Sequence, residues 1–372
     1  MKWPKNGQRI VKNIQEKYNN HINLFFLPKS IQHIAVIRLS AMGDVAMTVP
    51  VIRAFVAQNP NVKITFVSRS FFKPFFDGFP NVNFFAVDVK GRHKGFLGLL
   101  KLYSDLKKLN IDAVADLHNV LRSQIVRTLF SLSGKKVAFT DKGRKEKKAL
   151  TKAENKVFTP IKTMVQRHVD TFKKLGFAVD LSDPKFTQKA ILSEDILKIS
   201  GEKQNFQWIG IAPFAQYESK VYPIDLMQKI IDELSSSSNN KIFLFGGGNK
   251  EIEILNQLSE GKDSVINFAG KIPFQQELHF ISNLDVMLSM DSGNAHIAAM
   301  LGVKVVTLWG ATHPFAGFAP FNQPLENCLT SDREKFPLLP TSVYGNKKVQ
   351  GYEDVMRSIT VQEIVNKIQS NL

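Results

Sequence analysis

The sequence predicts an α/β fold made of two doubly wound parallel sheets that face each other across a cleft. Three observations carry this. From about residue 34 short β-branched or apolar runs alternate with amphipathic stretches, the pattern of βα units that build a parallel sheet. A polar stretch at Ser182-Asp183-Pro184-Lys185 interrupts the alternation, which restarts at Trp208. The 372 residues also exceed the roughly 100–200 of one average domain, so two domains with separate cores are expected.

His33-Ile34-Ala35-Val36-Ile37-Arg38-Leu39 reads as a first buried strand and Lys63-Ile64-Thr65-Phe66-Val67-Ser68 as a second. Between them Val49, Ile52, Phe55 and Val56 step by three or four. Thr48 is the expected N-cap of that helix, and Pro50 falls in its first turn, where a missing N–H does no harm. Phe96, Leu99, Leu100, Tyr103, Leu106 and Leu109 repeat the helical spacing before a strand at Ala113-Val114-Ala115 and a helix from Leu121 to Leu132. The second half reads as strand Trp208–Ala212, helix Pro223–Leu234, strand Lys241–Phe245, helix Lys250–Leu258 and a strand near Ile266. Helix Gln275–Ser282, strand Val286–Ser289, helix Gly293–Leu301 and strand Lys304–Leu308 complete it. Val361, Ile364, Val365 and Ile368 mark a last helix, expected to return across the linker to the first domain. The expected boundaries are a basic extension over 1–33, a first domain over 34–183, a second over 184–350 and the C-terminal helix within 351–372.

With 44% hydrophobic and 22% charged residues the composition argues against disorder, collagen and coiled coil. The single cysteine, Cys328, rules out an intrachain disulfide and a Cys-based zinc cluster and fits a reducing compartment. No apolar run approaches the roughly 18 residues of a membrane span. The start, Met1-Lys2-Trp3-Pro4-Lys5, is basic but is not followed by an apolar stretch of about 7–15 residues, so the cytoplasm is the expected location.

The net charge of +16 is concentrated. Residues 1–33 carry six cations against Glu16 alone, and Lys135–Lys156 carry nine against Asp141, Glu146 and Glu154. Two readings stand side by side: a surface for a polyanion or an anionic membrane, and a solvated charge run. No zinc-finger or RNP-type motif is present, and no aromatics interleave with these cations, so no nucleic-acid partner is expected.

The polar residues that could carry chemistry cluster in the turns after strands. Gly43 in Ser40-Ala41-Met42-Gly43-Asp44 lets backbone approach a ligand, and Asp44 then projects into the crevice at a strand's carboxyl end. From spacing alone Asp44 reads first as a helix N-cap and then as a catalytic carboxylate. Lys220, just before Pro223, can join the positive end of a helix dipole at a phosphate. Phe245-Gly246-Gly247-Gly248-Asn249 allows close main-chain contact with a ligand or is a flexible turn, and Glu251 behind it can accept from ribose hydroxyls. Met290-Asp291-Ser292-Gly293-Asn294-Ala295-His296 is the densest polar cluster, either a helix cap or an anion site. Trp309-Gly310-Ala311-Thr312-His313-Pro314 repeats the arrangement one strand later, and two adjacent anion-ready turns suggest a diphosphate. The loop after the first strand lacks G-x-G-x-x-G and G-x-x-x-x-G-K-[ST], and H-E-x-x-H and G-x-S-x-G are absent too. Dinucleotide, P-loop, metalloprotease and α/β-hydrolase readings therefore lose support.

Taken together, Ile37-Arg38-Leu39-Ser40-Ala41-Met42-Gly43-Asp44, Lys220-Val221-Tyr222-Pro223, Asp291-Ser292-Gly293-Asn294-Ala295-His296 and Trp309-Gly310-Ala311-Thr312-His313-Pro314 resemble, in this order, the heptosyltransferase family, glycosyltransferase family nine. The resemblance implies the GT-B architecture, with the acceptor on the N-terminal domain and the donor on the C-terminal one. It implies transfer of a sugar, heptose from ADP-heptose, to a lipopolysaccharide core or related lipid-linked acceptor, with inversion and without metal or cofactor. Carried over by position, Asp44 corresponds to the general base and Lys220 to the lysine meeting the donor phosphates. Gly43, Gly247, Glu251, Ile272, Asp291, Ser292, Gly293, His296, Gly310 and Thr312 fall on the donor side, Glu251 and Ile272 as looser matches to ribose and adenine contacts. Arg69, Arg122, Arg144 and Lys145 are the expected cations for an anionic acceptor. A peripheral position on the inner face of the cytoplasmic membrane follows, with Trp3, Phe25 and Phe26 at the interface. Two other readings compete: a sugar-nucleotide epimerase of similar architecture, and a non-catalytic polyanion-binding protein.

Overall fold

A computed structural model describes residues 31–372. Residues 1–30, which hold most of the basic extension with Trp3, Phe25 and Phe26, lie outside the described residues. The apolar runs of the sequence are strands covered on both faces, which is why they show little in-out alternation. The strands of the first half are β1 (His33–Ile37), β2 (Lys63–Ser68), β3 (Val82–Ala86), β4 (Ala113–Asp116) and β5 (Lys136–Phe139), of which the edge strands β3 and β5 are partly exposed. They form one parallel sheet in the order β3-β2-β1-β4-β5. Ile37 pairs with Val67 on one side and Asp116 on the other, which fixes the register at the carboxyl end of β1.

The second half supplies β6 (Gln207–Ala212), β7 (Asn240–Leu244), β8 (Val265–Asn267), β9 (Val286–Met290), β10 (Lys304–Trp309) and β11 (Cys328–Thr330). Their order, β11-β10-β9-β6-β7-β8, is again wholly parallel. In each sheet the first strand is central and the chain winds out to one edge before crossing to the other side. Crevices for ligands open at the carboxyl ends where that winding reverses, here between β1 and β4 and between β6 and β9.

The two cores are not separate, contrary to expectation. One buried apolar cluster runs from Ile34, Phe55 and Phe66 in the first half to Trp208, Phe243 and Ala295 in the second. The outer faces have their own clusters, one around Leu102 and Phe130, the other around Tyr222 and Ile230. The last helix, Val361–Gln369, places Ile364, Val365 and Ile368 in the cluster of Tyr222 and Ile230, so it closes the second half and does not cross to the first. Thr360 caps it, accepting from the Glu363 N–H at 3.2 Å.

Three further expectations change. Thr48 does not cap the helix Val49–Gln58; its hydroxyl donates to the Val45 carbonyl at 2.7 Å, because a short helix, Met42–Ala46, runs straight into it. In the helix Gly95–Lys107 the buried stripe is Leu99, Leu102 and Leu106, while Phe96 and Leu100 face outward. The Lys135–Lys156 run is not one solvated loop: it contains β5 and the helix Arg144–Leu150, and buries Lys147. Lys156 is tied to the second half through the Leu338 and Pro340 carbonyls, each at 2.8 Å.

Candidate active site

After β1 the chain turns into the short helix Met42–Ala46, whose third residue is Asp44. The Ala41 N–H donates to Asp44 Oδ2 at 3.3 Å, and the buried Arg38 guanidinium forms an ion pair with the same oxygen. Arg38 is itself held by the Leu117 carbonyl at 2.8 Å. The capping reading of Asp44 is therefore true of one oxygen, while the side chain remains 31% exposed and lines the cleft between the halves. Burial pushes its carboxyl up, but Arg38 and the Ala41 N–H together outweigh burial and hold it below the usual carboxylate value. Asp44 is thus ionised at neutral pH.

Across the cleft, β9 ends at Met290 and delivers Asp291 and Ser292 to the start of the helix Gly293–Met300. Asp291 Oδ2 accepts from Lys220 Nζ and from the Thr312 hydroxyl, both at 2.8 Å. Lys220 is therefore paired with the end of β9 and does not stand free at the helix after Pro223. His296, one turn into its helix, is buried, and its Nδ1 has no hydrogen-bond partner among the described residues. Burial lowers its pKa against the pull of Asp291 and Asp44, so the ring is neutral at pH 7.

Asp44, Lys220, Asp291, Ser292, Gly293 and His296 border one lobe of the cleft, about 260 Å³ in volume. A second lobe of about 560 Å³ shares Ala41, Gly43, Gln216, Ser292 and Gly293 with it and extends to Gly247, Glu251 and Ile272. Glu251 Oε2 accepts from the Gly247 N–H at 2.8 Å, so that glycine turn is fixed by its own helix. The volume of the second lobe lies within the range of small-molecule pockets.

Two positions expected on the donor side do not line the cleft. A side chain at Gly310 would meet the Ser219 carbonyl oxygen at 2.4 Å, so this glycine serves close packing of β10 against the turn that carries Lys220. Thr312 is buried and acts behind the cleft by orienting Asp291. The turn after β10 is followed only by the three-residue 3-10 helix Pro314–Ala316, too short for the second anion-ready helix start read from the sequence.

The four expected acceptor cations border neither lobe. Arg69 donates from Nε to the Leu39 carbonyl at 3.1 Å and lies over the Phe72 ring. Arg122 is exposed at the start of the helix Leu121–Leu132, and Arg144 and Lys145 are exposed at the start of Arg144–Leu150. Of these, Arg144 acts electrostatically on Tyr344, which does line the cleft. Arg38, Gln216, Tyr217, Phe318, Tyr344 and Glu277 were not foreseen. Only Arg38 had a signal, as a charged residue directly after the apolar run Ile34–Ile37. Among the described residues no group of three or more His, Cys, Asp and Glu is placed to hold a metal ion, and no helix is long and apolar enough to cross a membrane.

Comparison with known proteins bears on the family and the fold. The profile of glycosyltransferase family 9 (heptosyltransferase) matches residues 99–343. Lipopolysaccharide core heptosyltransferase OpsX of Haemophilus influenzae is 25% identical over 351 residues, covering 92% of this chain and 96% of that protein. Lipopolysaccharide heptosyltransferase 1 of Campylobacter coli is 26% identical over 298 residues, 75% of this chain and 84% of that protein. Among solved structures, a family 9 glycosyltransferase from Veillonella parvula has a TM-score of 0.71 at 19% identity, covering 93% of this chain and 98% of that one. Escherichia coli heptosyltransferase WaaC with ADP has a TM-score of 0.63 at 18% identity, covering 91% and 100%. These likenesses show the two-sheet GT-B architecture. The family match decides for glycosyl transfer over the epimerase and the non-catalytic polyanion-binding readings. The chain is a glycosyltransferase and belongs to glycosyltransferase family 9, the heptosyltransferases.

Proposed function

We propose that the protein moves heptose from ADP-heptose to an anionic, lipid-linked lipopolysaccharide core acceptor in one inverting displacement that needs no metal. The observation that carries this reading is that Asp44 from the first sheet and the Lys220–Asp291 pair from the second border the same lobe. Asp44 takes the proton of an acceptor hydroxyl as that oxygen bonds to the anomeric carbon from one side. The bond to the diphosphate oxygen breaks on the other, and the electron pair leaves with ADP. Lys220 and the free N–H groups at the start of the helix Gly293–Met300 receive that charge. His296 lines the same lobe one turn into that helix, with Nδ1 buried and unpartnered among the described residues. The nucleoside lies in the larger lobe, with Glu251 at the ribose and Ile272 at the base. The names of the relatives support this reading: those of OpsX and heptosyltransferase 1 carry lipopolysaccharide, and WaaC was solved with ADP and with ADP-2-deoxy-2-fluoro heptose.

In this reading residues 34–183 hold the acceptor and 184–350 the donor, and the protein works on the cytoplasmic side of the membrane. Phe96 and Leu97, 63% and 72% exposed, begin one helix at the carboxyl end of the first sheet, and Leu121, 73% exposed, begins the next. Exposed Lys94 and Arg122 adjoin them. Apolar tips among cations suit a peripheral position on an anionic bilayer, where each cation is worth about 1 kcal/mol.

Replacing the base tests the reading. Asp44→Asn is expected to lower transfer by about 10²–10⁴-fold while ADP affinity stays unchanged. Normal turnover by this variant removes Asp44 from the mechanism.

A further inference from the structure

The larger lobe is lined mostly by the second half, yet one of its aromatic rings comes from the first. Ala41, Met42, Gly43 and Phe71 are the first-half residues that line it. Phe71 belongs to the 3-10 helix Ser70–Phe76, in which Phe72, Phe75 and Phe76 are buried while Phe71 alone of these four is 52% exposed. A single exposed apolar side chain on an outer surface is ordinary. This one borders a cavity that both halves line, and the hydrophobic core does not account for it.

The ring is held in place by its neighbours. Phe71 stacks on Phe274 of the second half, ring centroids 4.6 Å apart at 20°, and meets Phe72 edge-on at 5.3 Å. Phe75 packs on Phe274 at 5.5 Å. Arg69, directly before the 3-10 helix, lies over the Phe72 ring and donates from Nε to the Leu39 carbonyl at 3.1 Å. Phe71 is thus tied to the segment that runs from β1 into Asp44. Phe274 covers one face of the Phe71 ring, and the residue's remaining exposure leaves the other free.

Phe71, Phe214, Phe274 and Ile272 give the lobe three aromatic rings and a branched aliphatic side chain, a lining suited to a flat heterocycle. We propose that Phe71 stacks on the base of the donor nucleotide, so that the half carrying Asp44 also grips the end of the donor opposite to the sugar. This rests on the ADP-heptose reading above and adds to it a donor site shared by both halves. Every nucleobase has a π-face, so the contact supplies affinity without reading a hydrogen-bond pattern. It also refers the donor to the turn that positions Asp44. The sugar then meets the base catalyst with less orientational freedom left to lose.

Titration of the full chain with ADP and with adenosine tests this in the wild type and three variants, with melting temperatures as a control on folding. Phe71→Ala should weaken ADP and adenosine by the same factor, about tenfold, the scale of one base–aromatic stack. Phe71→Leu keeps apolar bulk without a flat ring and should lose nearly as much. Phe71→Trp should bind ADP at least as tightly as the wild type, and saturating ADP should quench the indole emission that the substitution adds. Unchanged ADP affinity in Phe71→Ala, whatever its melting temperature, would mean that the ring serves only to pack on Phe274. A loss for ADP without one for adenosine would place the effect at the phosphates, and wild-type affinity in Phe71→Leu would make it one of bulk. Any of these, or an indole emission that ADP leaves unchanged, overturns the role of Phe71 and leaves the ADP-heptose reading standing. A wild type that binds neither ADP nor adenosine overturns both.

Discussion

Gly43 and Gly293 meet backbone to backbone where the two halves touch: a side-chain carbon on Gly43 would stand 3.1 Å from Gly293 Cα and 2.8 Å from His296 Cδ2. This contact joins the helix that carries Asp44 to the helix that follows Asp291. No bulkier pair would let the two starts approach so closely. The converse substitution is milder, since a side chain on Gly293 meets chiefly the flexible end of Met42, at 2.7 Å. Gly43→Ala is therefore expected to lower turnover by about 10²-fold, the scale of a 1 Å misplacement of reacting groups, and Gly293→Ala by clearly less. Steady-state kinetics of the two variants, with melting temperatures as a control on folding, check the order. Equal effects would mean that the contact does not set the spacing.

Arg38 governs when Asp44 is able to act. A carboxyl held below its ordinary value stays ionised as pH falls, and its function is lost only as pH passes down through the lowered value. Arg38→Met removes the guanidinium but keeps the burial that pushes Asp44 up. Its kcat/KM should fall between pH 8 and pH 5, where the wild type stays level, and Arg38→Lys should recover most of the difference. The pH profiles of the three proteins decide; a flat profile for Arg38→Met means that Arg38 does not set the ionisation of Asp44.

Much of this site was legible because its residues are local to turns after strands. Asp44, Asp291, Gly293 and His296 each lie within seven residues of a strand end, where an α/β sheet puts its ligands. Gly310 and Thr312 satisfied the same local rule and yet do not line the cleft, because Gly310 packs against the turn carrying Lys220, some 90 residues earlier, and Thr312 is turned to Asp291. Partners at that separation leave no trace in a local pattern. The same limit hid Phe318 and Tyr344, which reach the cleft from irregular segments. The helix Met164–Leu175 went unread although its signals were present, a Thr163 cap and Gly176 in the left-handed region at φ 101°. β5 was masked by the lysines around it, because a charge run reads as loop until its alternate residues are known to be covered.

Thr312 gives a test of how the donor phosphates are held. Its hydroxyl and Lys220 share one oxygen of Asp291, so Thr312→Val should let Asp291 turn without removing any group from the cleft. A loss of about 3–10-fold in ADP affinity is expected, the scale of one hydrogen bond to a charged group. Lys220→Met should cost about 10²-fold, since it removes the cation and leaves Asp291 unpaired beside the diphosphate. Titration with ADP and with adenosine separates these from effects on the nucleoside, because adenosine binding should not change in either variant. If adenosine weakens in parallel, the damage is to the lobe as a whole.

The exposed tips Phe96, Leu97 and Leu121 should carry bilayer contact. Sedimentation with vesicles is expected to be stronger for phosphatidylglycerol-containing than for pure phosphatidylcholine membranes, and to weaken between 50 and 500 mM salt, since surface charges are screened within about 10 Å at 0.1 M. Phe96→Ser with Leu97→Ser should reduce binding several-fold and leave turnover on a soluble acceptor analogue unchanged. Equal sedimentation with both vesicle types at low salt would remove the membrane from the account.

Lys147 is a buried lysine with no acidic partner within ion-pair distance among the described residues. Its Nζ lies 4.0 Å from the centroid of the Phe318 ring and 3.4 Å from Met164 Sδ. Burial first, and then Arg167, lower its pKa from 10.5 to about 7. Below pH 7 the folded and unfolded chains both hold the proton, and the cost of the buried charge is present in full. Between pH 7 and about 10 the unfolded chain holds more protons than the folded one, so stability from this group rises with pH. Lys147→Met removes the cost and loses the cation–π contact, worth about 1 kcal/mol, and the weak hydrogen bond to Met164 Sδ. The variant should therefore be more stable than the wild type at pH 6 by about 1–3 kcal/mol, with the gap closing as pH approaches 10. Urea denaturation at both pH values reads it directly. A variant that is less stable at pH 6, or a gap that does not change with pH, would mean that the ammonium has found an anionic partner.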